Sequence, residues 1–170
     1  LINISKIRTP DDYDVKDFHL PDNPSASPPR VRLSSASKTV PYSASQIIDR
    51  DQSFVWHSES NPTYPQWIEF TFESPVEVKR IFMGRQIGGQ VGIDRAPKRF
   101  TFQGKNEGES WVDLLEVENA GFTDVDAIKA WQLDKTPKFT IYRILIKSNN
   151  GAPDLITINF INFQFVIDRK

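Results

Sequence analysis

Two side chains in this sequence could aim directional hydrogen bonds at a ligand: His57, which follows Trp56, and Arg85, in Gly84-Arg85-Gln86. An imidazole and a guanidinium both supply donors, and the guanidinium presents its donors as a planar fork. The only other histidine, His19, stands in a proline-rich stretch. Tyr64, in Asn61-Pro62-Thr63-Tyr64-Pro65, and Phe54 are loop aromatics. Tyr64 is the better platform because prolines constrain its loop. The run Gly88-Gly89-Gln90-Val91-Gly92 would let backbone amides approach a ligand, since glycine has no side chain in the way. Each of these has a plainer reading. His57 can end a loop by bonding a backbone carbonyl, Arg85 can pair with Glu69 or Asp94, and the glycine run can be the tip of a hairpin. The glycines do not form a phosphate loop. No Lys-Ser/Thr follows them, and Ile93-Asp94-Arg95-Ala96-Pro97 is poorly suited to opening a helix.

Catalytic constellations are missing from the sequence. It has no Gly-x-Ser-x-Gly elbow and no His-Glu-x-x-His pair. Asp113, Glu116 and Glu118 cluster, but charges spaced this way suit an exposed edge strand that must resist pairing with another chain. With 21 Lys and Arg against 22 Asp and Glu, the net charge is −1. A protein that binds nucleic acid through its overall field normally carries a basic excess, so nucleic acid is not an expected partner. There are no cysteines, which excludes disulfides, thiolate metal sites and cysteine nucleophiles. No apolar run approaches the roughly 20 residues that cross a bilayer. The sequence opens on Leu1-Ile2-Asn3-Ile4 without a Met, and reads as an excised domain or processed product.

The elements that must position these residues are mostly strands. Residues 1–30 stand apart: Asp11, Asp12, Asp14, Asp17 and Asp22 sit near Pro10, Pro21, Pro24, Pro28 and Pro29, as in an extended connector or arm. Its first residues, LINISKI, alternate like a short strand that could pair with a neighbouring domain. From residue 31 to 170 one domain is expected. Runs rich in Ile, Val, Phe, Tyr and Thr predict strands at 31–35, 67–72, 76–85, 99–104, 112–117, 130–133, 139–147 and 157–167. In the last run the apolar phase slips between Phe160 and Ile161, which predicts a bulge or bend. Single helical turns are expected at 44–48 and 125–129. Many short strands between turn signals predict an all-β antiparallel sandwich or barrel.

Four segments in order carry a resemblance. They are Ala44-Ser45-Gln46-Ile47-Ile48-Asp49 leading to Trp56-His57-Ser58; Gln66-Trp67-Ile68-Glu69-Phe70 with a turn at Ser74-Pro75; Phe100-Thr101-Phe102-Gln103-Gly104 through Gly108 to Trp111; and Tyr142-Arg143-Ile144-Leu145-Ile146 with the closing strand 158–165. Together they resemble the coagulation factor V/VIII type C, or discoidin-like, domain, which includes the galactose-binding-like carbohydrate-binding modules of family 32. The resemblance spans roughly residues 31–167 and implies an eight-stranded jelly-roll β-sandwich that binds ligands through loops at one end. It also implies that Trp56, Trp67 and Trp111 are largely packed, Trp67 and Trp111 in the core or beneath a loop.

The resemblance assigns roles to the residues above. His57 and Arg85 match a His and an Arg that hydrogen-bond sugar hydroxyls in galactose-binding relatives, with Tyr64 as the stacking aromatic and Gln86, Gly88 and Gly89 in a variable binding loop. It further implies a structural Ca²⁺ at Asp49 and Asp51, with Asn162 where relatives carry a late Glu. Calcium takes six to eight oxygens with carboxylates among them. Here Phe54 replaces the expected Thr and Arg50 the usual Gly. Beyond that ion the sequence implies no cofactor.

The implied function is non-catalytic glycan recognition or adhesion, galactose-type sugars first, by a domain of a larger surface or viral attachment protein. The implied location is extracellular, at a cell surface or on a virion. A second reading is a structural or protein-docking domain, as in a phage tail, with residues 1–30 wrapping a neighbouring domain or subunit. A third is anionic-membrane binding through Ile87, Val91 and Ile93 beside Arg85 and Arg95. The neutral charge and missing cysteines argue against that third reading.

Overall fold

A computed structural model describes residues 6–8, 28–36, 44–48, 55–134 and 136–167. Among the described residues ten strands carry the fold: β1 Lys6–Arg8, β2 Arg30–Leu33, β3 Trp56–His57, β4 Gln66–Gly84, β5 Pro97–Lys105, β6 Val112–Val117, β7 Ile128–Gln132, β8 Phe139–Asn149, β9 Thr157–Ile158 and β10 Phe160–Ile167. A 3₁₀ turn covers Ala44–Ile48, as expected, and a six-residue helix, α1, covers Gly89–Asp94.

The 19-residue β4 organises the molecule. Its first part pairs antiparallel with β2 and β8, and its second part with β7 and β10. The register with β8 shifts between Thr71 and Val76, where Glu73, Ser74 and Pro75 are exposed. The expected turn at Ser74-Pro75 is therefore a bend inside one strand, which a proline tolerates because a bulge needs no N–H there. Through this bend β4 passes from the layer β2-β4-β8-β5-β6 to the layer β10-β4-β7-β1. The result is the antiparallel β-sandwich that the strand pattern predicts.

The core lies between the two layers. Alternation along β4 turns Ile68, Phe70 and Phe72 inward from one side, and β10 supplies Ile161, Phe163 and Phe165. Phe70 meets Phe163 edge-on at 4.7 Å and Phe72 meets Phe165 at 4.9 Å, while Phe102 stacks on Tyr142 at 5.3 Å. Such aromatic pairs add to what their buried area contributes. The Tyr142 hydroxyl donates to the Val76 carbonyl and accepts from Phe139 N–H, and burial pushes its pKa up to about 12.

Several sequence expectations change here. The phase slip in the last strand is real, and it falls at Asn159, which separates β9 from β10. Ile156 and Ile158 then share the main core with Ile161 and Phe163, whereas Phe160 joins a second buried cluster with Phe82, Ile128 and Ala130. Residues 125–129 form no helical turn, because Ile128 and Lys129 enter β7. The glycine run is helix α1 rather than a hairpin tip. Gly88 and Gly89 take positive φ angles of 123° and 72°, which lets the chain reverse into the helix. Trp67 and Trp111 lie half-buried on the outer face of the sheet, not in the core. Trp56 is packed in the core as expected, and Trp131 joins it there, edge-on to Phe100 at 5.0 Å. Finally, β1 pairs with β7 of its own sheet, Ile7 opposite Lys129.

Candidate functional site

Three loop regions are laced together at one end of the sandwich. The first, residues 55–65, meets residues 149–158. His57 pairs with Thr157 across β3 and β9, Ser58 N donates to Ile156 O at 3.0 Å, and Asn61 N donates to Asp154 O at 2.8 Å. The second, residues 91–97, meets the same segment. Asn150 N donates to Ala96 O at 3.1 Å, Asn150 Nδ2 to Ile93 O at 3.0 Å, and Thr157 N to Arg95 O at 3.1 Å. An ion pair, Arg95 Nη2 to Asp154 Oδ2 at 2.6 Å, closes this side. The Arg95 hydrogen bond holds the Asp154 carboxyl below its ordinary range. The Asn149-Asn150-Gly151 turn thus builds the site's floor. Its turn chemistry was visible in the sequence, but its partners were not.

His57 sits half-buried on this floor, with Nδ1 3.0 Å from the Val55 carbonyl. A carbonyl only accepts, so Nδ1 carries the proton, and in the neutral ring Nε2 is left as an acceptor. The plainer reading of His57 therefore holds for one ring nitrogen and leaves the other available. Tyr64 is the exposed aromatic of this end, at 41%. Partial burial raises its pKa, and the nearby Asn149 backbone opposes that rise. His57 thus lies against residues 149–158, and Tyr64 stands in the same loop.

Arg85 points elsewhere. It is 5% exposed, and its guanidinium donates Nε to Thr123 O at 2.9 Å, Nη1 to Gln86 O at 2.7 Å and Nη2 to Asp124 O at 3.2 Å. Its backbone N–H adds a bond to Ala127 O at 2.9 Å. Burial lowers its pKa, and the nearby Asp124 carboxylate opposes the shift. Neither expected acid is its partner: Glu69 pairs with Arg32, and Asp94 accepts from Gln90 Nε2. Arg85 is thus a clamp on residues 123–127, with Nε, Nη1 and Nη2 each donating to a carbonyl. Gln86 follows it, with a buried Oε1 that has no hydrogen-bond partner. A Cβ at Gly92 would strike Gln86 O at 2.1 Å, so the α1 backbone packs directly on this residue. Gly88 and Gly89 are exposed with open space around them, and Ile87 and Val91 project beside them.

The family model for the F5/8 type C domain matches residues 32–158. The chain belongs to the F5/8 type C domain family. No curated protein sequence matches it. Among solved structures, this F5/8 type C domain is similar to a family 32 carbohydrate-binding module of Clostridium perfringens, solved with GalNAc-β-1,3-galactose. The TM-score is 0.66 at 18% identity, covering 82% of this chain and 99% of that one. It is also similar to the family 32 module of C. perfringens NanJ, solved with galactose, with a TM-score of 0.64 at 18% identity, covering 81% and 96%. A chitosan-binding module from a Paenibacillus sp. IK-5 chitosanase/glucanase superposes with a TM-score of 0.63 at 17% identity, covering 79% and 93%. These likenesses establish the fold.

The calcium ligands implied for an F5/8 type C domain divide. Asp49 and Asp51 lie outside the described residues. Asn162 is buried, and its Oδ1 accepts from Phe163 N at 2.8 Å while its Nδ2 donates to Ile48 O at 3.2 Å. In this arrangement Nδ2, rather than the amide oxygen, faces Ile48 O. Among the described residues no group of three or more His, Asp and Glu side chains could hold a metal.

Proposed function

We propose that this F5/8 type C domain is a non-catalytic glycan-binding module that takes a galactose-type sugar at the loop end, between Tyr64, His57 and the segment Gln86 to Gly89. The observation that carries the reading is the His57 ring, whose Nδ1 is fixed by Val55 O while Nε2 remains an acceptor, in the same loop as the exposed Tyr64. A saccharide offers apolar C–H groups to an aromatic face and hydroxyl donors to such a nitrogen. Arg85 serves the site from behind, by holding residues 123–127 against the loop that carries Gln86. That relatives of this fold were solved with galactose and with GalNAc-β-1,3-galactose supports the ligand class.

We place the module in a secreted or surface polypeptide, where weak single sites gain strength by repetition. Calorimetric titration with galactose and GalNAc-β-1,3-galactose tests the reading. His57→Ala and Tyr64→Ala should each weaken binding by about tenfold while leaving the melting temperature nearly unchanged. Absence of binding to either sugar, or binding indifferent to both substitutions, overturns it.

A further inference from the structure

Away from the loop end, the outer face of the sheet carries a constellation that this function does not use. Strand register places Arg32, Glu69, Arg143, Gln103 and Asp113 in one row across β2, β4, β8, β5 and β6. Hydrogen bonds run along much of it. Arg32 Nη1 donates to Glu69 Oε1 at 3.4 Å, Arg143 Nε to Gln103 Oε1 at 2.6 Å, and Gln103 Nε2 to Asp113 Oδ1 at 2.7 Å. Trp111 lies at the β6 end of this row. Its ring centroid is 4.1 Å from Arg143 Cζ and 5.1 Å from Lys105 Nζ.

Among the described residues Arg143 and Lys105 form no close ion pair, although the Glu69 and Asp113 carboxylates stand near enough to act on the Arg143 charge. Arg143 spends its Nε–H on a neutral amide, and among the described residues neither its terminal nitrogens nor the Lys105 ammonium has a carboxylate within ion-pair distance. Gln103 faces Arg143 and Lys105 faces Ile141, so the two cations are diagonal neighbours on adjacent strands of one face. Like charges so placed repel, and the shared indole is what holds them. Arg143 is half-buried, so solvent screens its charge less than that of a freely exposed side chain.

We propose that Arg143, Lys105 and Trp111 form a second ligand site, on the sheet face, that takes the carboxylate of an acidic saccharide, a uronate. The terminal fork of Arg143 matches a planar carboxylate, Lys105 adds a point charge, and the Trp111 edge offers apolar surface to the sugar ring. Asp113 and Glu69 flank the pair, so a ligand with one carboxylate per sugar residue is favoured over a phosphate chain of higher charge density. The choice of a saccharide rests on the glycan reading above, whereas the position and charge of the site do not.

Titration of the full chain with trigalacturonate at low ionic strength tests this. Binding should fall with added salt, and Lys105→Gln and Arg143→Lys should each weaken it by about fivefold or more. His57→Ala and Tyr64→Ala should leave it unchanged. No binding of trigalacturonate, binding insensitive to Lys105→Gln and Arg143→Lys, or binding lost on His57→Ala overturns the proposal. Neutral galactose binding that vanishes while uronate binding persists would instead sink the loop-end reading and leave this site standing.

Discussion

Arg85 holds a loop: its guanidinium bonds the carbonyls of Thr123, Gln86 and Asp124, and the side chain is buried among them. Removing a charged donor from several carbonyls leaves them short of partners. Arg85→Ala should therefore lower unfolding stability by about 2–4 kcal/mol, read from urea midpoints. Arg85→Lys should recover only part of this, because one ammonium cannot span three carbonyls. A direct ligand role would give the opposite pattern, with lost sugar binding and unchanged stability.

Asp154 gives a pH prediction at the same scale. The Arg95 hydrogen bond lowers its pKa below the ordinary 3.8, so the folded state binds this proton less readily than the unfolded chain. Its contribution is fully present above that value and is lost as pH falls through the folded pKa. The stability difference between the wild type and Asp154→Asn should thus shrink below about pH 4, with the gap at neutral pH kept small by exposure. Paired melts from pH 7 to pH 2 would show it. A gap that widens on acidification would contradict the assignment. Residue identities such as His57, Tyr64 and Arg85 were legible in the sequence, but the direction of Arg85 was not. Two of the carbonyls it bonds lie 38 and 39 residues further along the chain, and no local pattern encodes that meeting.

Elements were more legible than contacts. Strand 112–117 matches its expected bounds, and most others differ by a residue or two at their ends, since alternation of apolar side chains is a local property. The reading was weaker where tertiary packing decides. The bend in β4 keeps its strand pairing because both layers need that strand, and α1 forms because Gly88 and Gly89 reach angles that other residues resist. Gly84 carries a testable packing constraint. A Cβ there would lie 2.3 Å from Cε1 of Phe160, whose ring is fully buried and cannot swing aside. Gly84→Ala should cost about 1–3 kcal/mol through overpacking. Adding Phe160→Leu should recover part of the loss, giving a non-additive double-mutant cycle in denaturant melts. Strict additivity would mean that the two positions do not press on each other.

At the scale of the molecule, β1 has a consequence for solubility. The N-terminal strand that sequence reading offered to a neighbouring domain pairs with β7, covering an edge of its own sheet. An uncovered edge presents a row of free N–H and C=O groups to other chains. Deleting residues 1–8 should therefore lower the melting temperature by a few degrees and promote self-association, measured by scanning calorimetry and light scattering. A truncated chain that stays monomeric with an unchanged melt would show that β1 contributes little.

The sequence by itself determined the sandwich and its family, because apolar alternation, turn residues and their spacing are local properties carried along the chain. It also named His57 and Tyr64 as loop residues worth testing. Only the tertiary structure decided which way side chains face. It turned Arg85 onto the 123–127 loop, moved Trp67 and Trp111 to the outer face, put Trp131 in the core, and gathered Arg143, Lys105 and Trp111 from three strand regions. These placements depend on strand register and on carbonyls distant in sequence, and both are fixed only when the two layers close on their shared aromatic core.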